Sequence, residues 1–186
     1  TSFSTCPLDP AWSPSGDSIA VSAGSPSSSL WLIPAGGVPG ARSVYTAPVG
    51  SSVKWSAWSP DASRIAFIEE DDTGPCCSYP RSIKVIVVQT GAVTTVLPGI
   101  TTFPRFLDWA RTKDALVFSA AGPRSEFIYT LNLNPLGTPT LIVTGVFPTW
   151  SPDDSRVAYY GINVVDLTTG IVTSLGGGGS LPDWRR

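Results

Sequence analysis

The fold of this 186-residue chain follows from one ten-residue segment, Trp58-Ser59-Pro60-Asp61-Ala62-Ser63-Arg64-Ile65-Ala66-Phe67. This segment reads as the end of one strand, a tight polar turn and the start of a second strand. Pro60 fixes φ at the entry of the turn, and the Asp61 side chain can bond the backbone two residues further on. Ile65 and Phe67 are two residues apart, so both side chains point to the same face of the second strand. The segment therefore predicts a β-hairpin with one apolar face.

The same pattern recurs along the chain and begins each time at a tryptophan. Close copies start at Trp12 and Trp150, a weaker copy starts at Trp109, and a truncated one lies at Pro182-Asp183-Trp184. In each complete copy, apolar residues follow the tryptophan by seven and nine positions. The tryptophans that begin the first four copies recur at intervals of roughly 40–50 residues, which is typical of a β-propeller.

The repeats predict an all-β chain, a β-propeller built from four-stranded antiparallel blades. A single domain, residues 1–186, would contain four full blades at about 8–52, 53–102, 103–145 and 146–180, and residues 181–186 would be the first strand of a fifth. Glycine-containing turn sequences separate the third and fourth strands of each unit. No segment has the apolar spacing of an amphipathic helix, so we expect almost no helix. The motif tryptophans, whose large side chains would pack between adjacent blades, are predicted to be core residues: Trp12, Trp58, Trp109, Trp150 and Trp184.

Composition excludes several classes of function. The net charge of −2 gives no reason to expect nucleic acid as a partner. No apolar run approaches the roughly 18 residues that a membrane-spanning helix requires. The chain contains no histidine, so neither a Ser-His-Asp nor a Cys-His catalytic arrangement can be built from it. No zinc-ligand spacing or phosphate-binding motif is present, and we therefore expect no cofactor and no metal.

The three cysteines are Cys6, Cys76 and Cys77. In an antiparallel blade, the loop before the first strand and the loop after the second strand emerge at the same end. Cys6 lies in a loop of the first kind, and the other two lie in a loop of the second kind on the next unit. A disulfide between Cys6 and either of them is therefore feasible in an exported protein, and it is favoured over a bond between the vicinal Cys76 and Cys77, which would be strained. Three reduced thiols without a role are the alternative.

The longest predicted loop, residues 70–81, is the best candidate for contact with a partner. Its candidate contact residues, together with two residues of a loop on the third unit, are Glu70, Asp71, Asp72, Tyr79, Arg81, Arg124 and Glu126. A surface insertion without a function is at least as consistent with the sequence. The acidic run from residue 69 to 72 could bind Ca²⁺, but it lacks the alternation of a calcium loop, so we expect a solvated acidic loop.

The repeat also carries a family resemblance. The motif Trp-Ser-Pro-Asp-x-x-x-Ile/Val-Ala-Phe/Tyr, followed by Val-Val-Asp-Leu-x-x-Gly, resembles the WD40-like (PD40) repeat of TolB-type propellers, and residues 150–175 look like a nearly complete copy. The third unit departs from it, with Ala110-Arg111-Thr112-Lys113 in place of Ser-Pro-Asp-Gly, which leaves the geometry of that turn open. The resemblance covers essentially the whole chain. It implies a propeller fold and often an extracytoplasmic, protein-binding role, but it brings no catalytic residue to this sequence.

Four blades and one strand are fewer than such propellers usually need. The chain could be a piece of a longer propeller, an unusually small closed ring, or a chain whose ends complete a neighbouring copy through a strand donated from residues 181–184. The first and third alternatives are favoured. We therefore expect a non-catalytic propeller, periplasmic, cell-surface or secreted, that binds a protein partner or further copies of itself. The alternative is the propeller portion of a larger enzyme such as a serine peptidase.

Overall fold

The computed structural model describes residues 8–24, 28–37, 39–73, 79–100, 103–122, 125–176, 182 and 184. These residues form sixteen strands: β1 Leu8–Trp12, β2 Ser18–Ala23, β3 Ser29–Pro34, β4 Arg42–Thr46, β5 Ser51–Trp58, β6 Arg64–Asp71, β7 Arg81–Val87, β8 Val93–Ile100, β9 Phe103–Trp109, β10 Ala115–Ala121, β11 Glu126–Asn132, β12 Thr140–Thr144, β13 Thr149–Trp150, β14 Arg156–Tyr159, β15 Asn163–Asp166 and β16 Val172–Ser174. None of the described residues is helical, and so no helix among them could cross a membrane.

The strands form four sheets, and each sheet contains four strands that lie side by side in chain order. We call these sheets blades 1 to 4, from β1–β4 to β13–β16. This arrangement confirms the all-β prediction of four-stranded antiparallel blades. Two strands differ by three residues at one end: β13 begins at Thr149 instead of the predicted Val146, and β8 ends at Ile100 instead of the predicted Leu97.

The chain divides into two compact units, Thr1–Phe103 and Pro104–Arg186. The first unit has its core between blades 1 and 2, where Leu30 and Leu32 pack with Ile65, Phe67 and other apolar residues. The second unit has a core of the same kind between blades 3 and 4, formed by residues such as Val117 of β10. Alternate residues along the strands give each blade an apolar face. In each unit, the apolar faces of the two blades are buried against each other, as the motif spacing predicts.

The motif tryptophans differ in their burial. Trp58 is 8% exposed and donates a hydrogen bond from Nε1 to the Ala11 carbonyl oxygen of blade 1, at 3.0 Å. Trp109 and Trp150 are also buried. Trp12, in contrast, is 53% exposed, so the predicted burial is wrong for this copy. Each buried indole of blades 2 and 4 packs on the blade that precedes it, and no described residue forms a blade before blade 1.

The third turn, which lacks the Ser-Pro-Asp sequence, is stabilised by the following blade. Asp154 of blade 4 is 5% exposed, and its carboxylate accepts hydrogen bonds from the backbone N–H groups of Arg111 and Thr112, at 2.8 and 2.6 Å. The Thr112 hydroxyl donates a third bond at 2.8 Å. In return, Asp108 of blade 3 accepts a hydrogen bond from the backbone N–H of Trp150, at 3.0 Å. Blades 3 and 4 are therefore joined by two reciprocal carboxylate contacts in addition to their apolar core.

Candidate partner-binding surface

The polar residues of the repeated motif are used inside its own turns. In blade 2, Ser59 Oγ donates to Asp61 at 2.6 Å and accepts a hydrogen bond from the backbone N–H of Arg64 at 2.9 Å. Hydrogen bonds from the hydroxyls of Ser59 and Ser63 lower the pKa of Asp61 to about 2. Asp153 has the same environment in blade 4, and its pKa is also lowered to about 2. These carboxylates therefore stabilise the turns in which they lie.

Each blade has two ends. The first-turn end carries the turn between its first and second strands, and the second-turn end carries the turn between its second and third strands. The predicted contact residues belong to the second-turn end. Cys6, Cys76, Cys77 and Arg124 lie outside the described residues, as does most of the predicted strand 181–186.

Glu70 and Arg81 are held within blade 2. Glu70 is 2% exposed, and it forms ion pairs with Lys54 and with Arg81 Nε. Cross-strand register makes this possible, since Glu70 lies opposite Arg81 on β7. Burial alone would raise the pKa of Glu70, but the hydrogen bonds and charges of the two cations outweigh it and lower this pKa. The Arg81 guanidinium also lies 5.3 Å from the centre of the Trp55 ring.

The acidic run is not the solvated loop that the sequence predicted. Glu69 forms an ion pair with Lys84 and accepts a hydrogen bond from the Tyr45 hydroxyl of blade 1. Glu69 and Glu70 are both within strand β6, which ends at Asp71 and not at Glu69 as the sequence predicts. Each of them has a cationic partner on a neighbouring strand. Asp71 and Asp72, at the end of the run, are exposed.

The other predicted contact residues are more accessible. Tyr79 is half-buried. Glu126, at the start of β11, is also half-buried, and it accepts a hydrogen bond from Arg105 Nη1 at 3.0 Å. Because this ion pair is partly exposed, it is available at the second-turn end of blade 3.

An aromatic residue in the left-handed conformation occupies the same position before the motif tryptophan in blades 2, 3 and 4. Trp55, Phe106 and Phe147 each lie three residues before the motif tryptophan, and their φ angles are 44°, 48° and 56°. Bulky residues rarely have positive φ, and the conformation costs on the order of 1–3 kcal/mol. In blade 2 this residue lies in a β-bulge, where the register of β5 against β6 shifts between Lys54 and Ala57. The side chain is thereby directed differently from that of a regular strand residue.

In the second unit two of these rings form part of a larger group. The ring centres of Phe106 and Phe147 are 4.0 Å apart, and that of Tyr160 is 6.2 Å from Phe147. We call these three residues the aromatic cluster. Tyr160 begins the three-residue turn between β14 and β15 and is 51% exposed, whereas the two phenylalanines are half-buried. The cluster therefore presents aromatic surface at the second-turn end. Arg105, which forms the ion pair with Glu126, directly precedes Phe106 in the sequence.

Sequence reasoning missed this cluster, although its signal is visible. The aromatic residues recur at one position relative to the motif tryptophan, but an aromatic residue within a predicted strand is typical of a core. The chemistry available here is apolar and aromatic contact. Among the described residues no group of three or more Asp, Glu, Cys or His side chains is arranged to bind a metal ion.

No family model matches this sequence, and no curated protein matches it. Many solved structures share the fold. A putative TolB from Agrobacterium tumefaciens is 20% identical with a TM-score of 0.76, over 99% of this chain and 72% of its own. TolB from Acinetobacter baumannii is 19% identical with a TM-score of 0.71, over 92% of this chain and 43% of its own. Acylaminoacyl peptidase from Pyrococcus horikoshii is 15% identical with a TM-score of 0.64, over 91% of this chain and 32% of its own. The chain has a TolB-like β-propeller fold, and it spans less than half of the Acinetobacter protein.

Proposed function

We propose that this chain is a non-catalytic protein-binding or scaffolding propeller whose contact surface is the aromatic cluster. The observation that carries the proposal is the left-handed aromatic residue that recurs before the motif tryptophan in blades 2, 3 and 4. A conformation that costs on the order of 1–3 kcal/mol each time is kept only where the surrounding structure imposes it, and such strain is concentrated at functional positions. In the second unit it brings Phe106 and Phe147 beside the half-exposed Tyr160. Aromatic side chains of this kind contribute large contact areas to protein interfaces.

Features of the sequence and of the surface support the other parts of the proposal. The absence of histidine favours a non-catalytic role, since the commonest general base is missing from the sequence. An extracytoplasmic location is supported by the resemblance to TolB-type repeats alone. Further copies of the chain are included among the partners because Trp12 exposes half of its surface.

The test places a photo-crosslinking amino acid at Tyr160 in the protein expressed in its own host. A matched control places it at Leu136, which is 54% exposed and lies in the turn between β11 and β12, at the first-turn end. We expect a discrete crosslinked protein from position 160 and none from position 136. Equal crosslinking at both positions, or none at position 160, would reject the aromatic cluster as the contact surface.

The second candidate is the propeller portion of a larger enzyme, such as a serine peptidase. It is favoured by the likeness to the Pyrococcus peptidase, whose chain is about three times as long as the matched region. A reading frame that continues past Arg186 to a Gly-x-Ser-x-Gly motif, with labelling of the full-length protein by a fluorophosphonate probe, would establish this alternative. A full-length protein without such a motif would exclude a serine peptidase of this type.

A further inference from the structure

A crevice lies between blades 3 and 4 at their first-turn end, within the second compact unit. Its volume is about 370 Å³, which falls in the range of small-molecule sites. Blade 3 contributes residues of β11, β12 and its first turn, and blade 4 contributes residues of β13, β15 and the turn after β15. We call it the inter-blade crevice, and the lining residues that matter below are Lys113, Thr130, Asn132, Thr140, Leu141 and Asp166.

Strand register directs three uncharged polar side chains into this crevice. Thr130 of β11 lies opposite Val117 of β10, which belongs to the apolar core between the two blades. Residues directly opposite each other in an antiparallel pair point to the same face, so Thr130 points toward blade 4. Asn132 lies two residues further along β11 and Thr140 lies opposite Thr130 on β12, so both share this face. No hydrogen bond joins these three side chains to another described residue. Each of them is therefore available both to donate and to accept a hydrogen bond.

Thr130 is a departure from the repeat. Its partner Val117 is the eighth residue after the motif tryptophan of blade 3. In the other blades the residue opposite the eighth position is apolar: Leu32, Val85 and Val164. A polar side chain that is half-buried loses hydration, and this loss costs free energy unless a hydrogen-bonding partner compensates for it. A threonine at this position therefore indicates a polar ligand, since packing alone is served by valine or leucine.

The charged residues of the inter-blade crevice already have partners within the protein. Lys113 Nζ lies 4.3 Å from the centre of the Trp150 ring, and it donates a hydrogen bond to the Asp154 carbonyl oxygen at 3.3 Å. Asp166 accepts hydrogen bonds from two backbone N–H groups of the turn that follows it, at 3.0 and 2.9 Å. An ionic ligand would have to compete with these contacts. The groups that remain available are uncharged, which favours a neutral ligand.

We propose that the inter-blade crevice binds a neutral sugar residue. The hydroxyl groups of a sugar donate and accept hydrogen bonds, as do the side chains of Thr130, Asn132 and Thr140. The C–H groups of a sugar ring match the apolar part of the lining, where Leu141 is 55% exposed. This inference goes beyond the proposed function, because the crevice lies at the first-turn end and the aromatic cluster lies at the second-turn end.

A peptide that adds a strand to the edge of β12 is the competing class of ligand. Such a peptide would bond to main-chain groups of β12, and its binding would not require the threonine hydroxyls. β12 is the last strand of its sheet, but β4, β8 and β16 have the same place in theirs. The edge is thus common to all four blades, whereas the polar residue at position 130 is found in blade 3. The observations therefore favour the sugar.

An NMR titration of the isotope-labelled chain tests the proposal, with the methyl glycosides of glucose, galactose, mannose and N-acetylglucosamine as probes. We expect at least one of them to shift the side-chain amide resonances of Asn132, with a dissociation constant on the order of 1 mM because the ligand is small. Thr130→Val introduces the residue type that blades 2 and 4 carry at this position, and it should weaken binding about tenfold. Thr130→Ser keeps the hydroxyl and should bind as the unmodified chain does.

Thr140→Val provides a second test at an exposed position, where no effect on folding is expected. Its matched control is Thr94→Val, because Thr94 lies opposite Val85 in blade 2 as Thr140 lies opposite Thr130 in blade 3. We expect weaker binding from the variant at position 140 and unchanged binding from the control.

Three results would each overturn the proposal. They are the absence of any shift at Asn132 with all of the sugars, unchanged binding in both Thr130→Val and Thr140→Val, and a shift of the same amide by blocked tetra-alanine in place of the sugars. Crosslinking from Tyr160 does not involve the inter-blade crevice, so a failure here is separable from a failure of the proposed contact surface.

Discussion

Asp154 offers the sharpest test of how adjacent blades are held together. It occupies the fourth position after Trp150, where the backbone is left-handed with a φ of 57°. The same position is Gly16 in blade 1 and Ala62 in blade 2, with φ angles of 73° and 58°. Alanine is therefore compatible with this turn, and Asp154→Ala removes the carboxylate without introducing a backbone conformation that the fold does not already contain.

The expected magnitude follows from the three hydrogen bonds that the Asp154 carboxylate accepts from Arg111 and Thr112. Hydrogen bonds to charged groups contribute roughly 1.5–3 kcal/mol each, but bonds that share one carboxylate are not additive. Truncation also leaves backbone N–H groups without an acceptor. We expect Asp154→Ala to lower the free energy of unfolding by about 3–5 kcal/mol. Asp154→Asn keeps one carbonyl acceptor and should lose about 1–2 kcal/mol.

Urea denaturation followed by circular dichroism measures these changes, and Asp154→Gly separates the two physical causes. Glycine relieves backbone strain but also lacks the carboxylate, so it should remain within about 1 kcal/mol of the alanine variant. Asp153→Ala is the matched control, and it should lose clearly less because that side chain bonds within its own exposed turn. The reasoning is refuted if Asp154→Ala loses less than about 1 kcal/mol, or if glycine restores the stability of the unmodified chain.

Three further predictions concern the blades themselves. Trp58→Ala should lower the free energy of unfolding by about 3–5 kcal/mol, whereas Trp12→Ala should change it by less than about 1 kcal/mol, because only the indole of Trp58 is buried. Urea titrations measure both values, and similar losses for the two variants would contradict this prediction. Glu70→Gln should cost about 3–5 kcal/mol, because the buried carboxylate neutralises two cations, and a loss below about 1 kcal/mol would show that these ion pairs are not coupled to folding. The folded-state pKa values of Asp61 and Asp153 are about 2, below the unfolded value near 3.9, so their stabilisation is complete above about pH 4 and is lost as the pH falls toward 2. Between pH 5 and pH 2, the melting temperature should therefore fall less steeply for the variant with asparagine at both positions than for the unmodified chain. Identical slopes would show that these two carboxylates do not cause the pH dependence of stability.

Much of the fold could be predicted because its signals are local. The sequence predicts strands at Ser18–Ala23 and Phe103–Trp109, and β2 and β9 have these bounds. Alternating apolar residues and turn residues at each end define a strand within a few positions. The blade architecture followed from repetition of these same signals. The aromatic cluster could not be predicted in this way, because the left-handed φ of Phe106 and Phe147 depends on how a strand is paired with its neighbour.

The predicted contact residues show the same difference between features set by the local sequence and features set by strand pairing. Glu70 was predicted at the surface because it belongs to a charged run, and charged residues are usually solvated. Its partners Lys54 and Arg81 are 16 and 11 positions away, and cross-strand register brings them together. The exposure of the Trp12 side chain likewise depends on whether another blade covers it. The sequence around Trp12 does not reveal this.

The sequence by itself determined the strands, their turns and their grouping into four repeated blades, because each of these depends on interactions between residues close in the chain. The tertiary structure decided which tryptophan is buried, which carboxylate joins two blades and which aromatic side chains reach the surface. Those outcomes depend on strand register and on contacts between residues tens of positions apart, where the free energy of burial is set by neighbours that the local sequence does not specify.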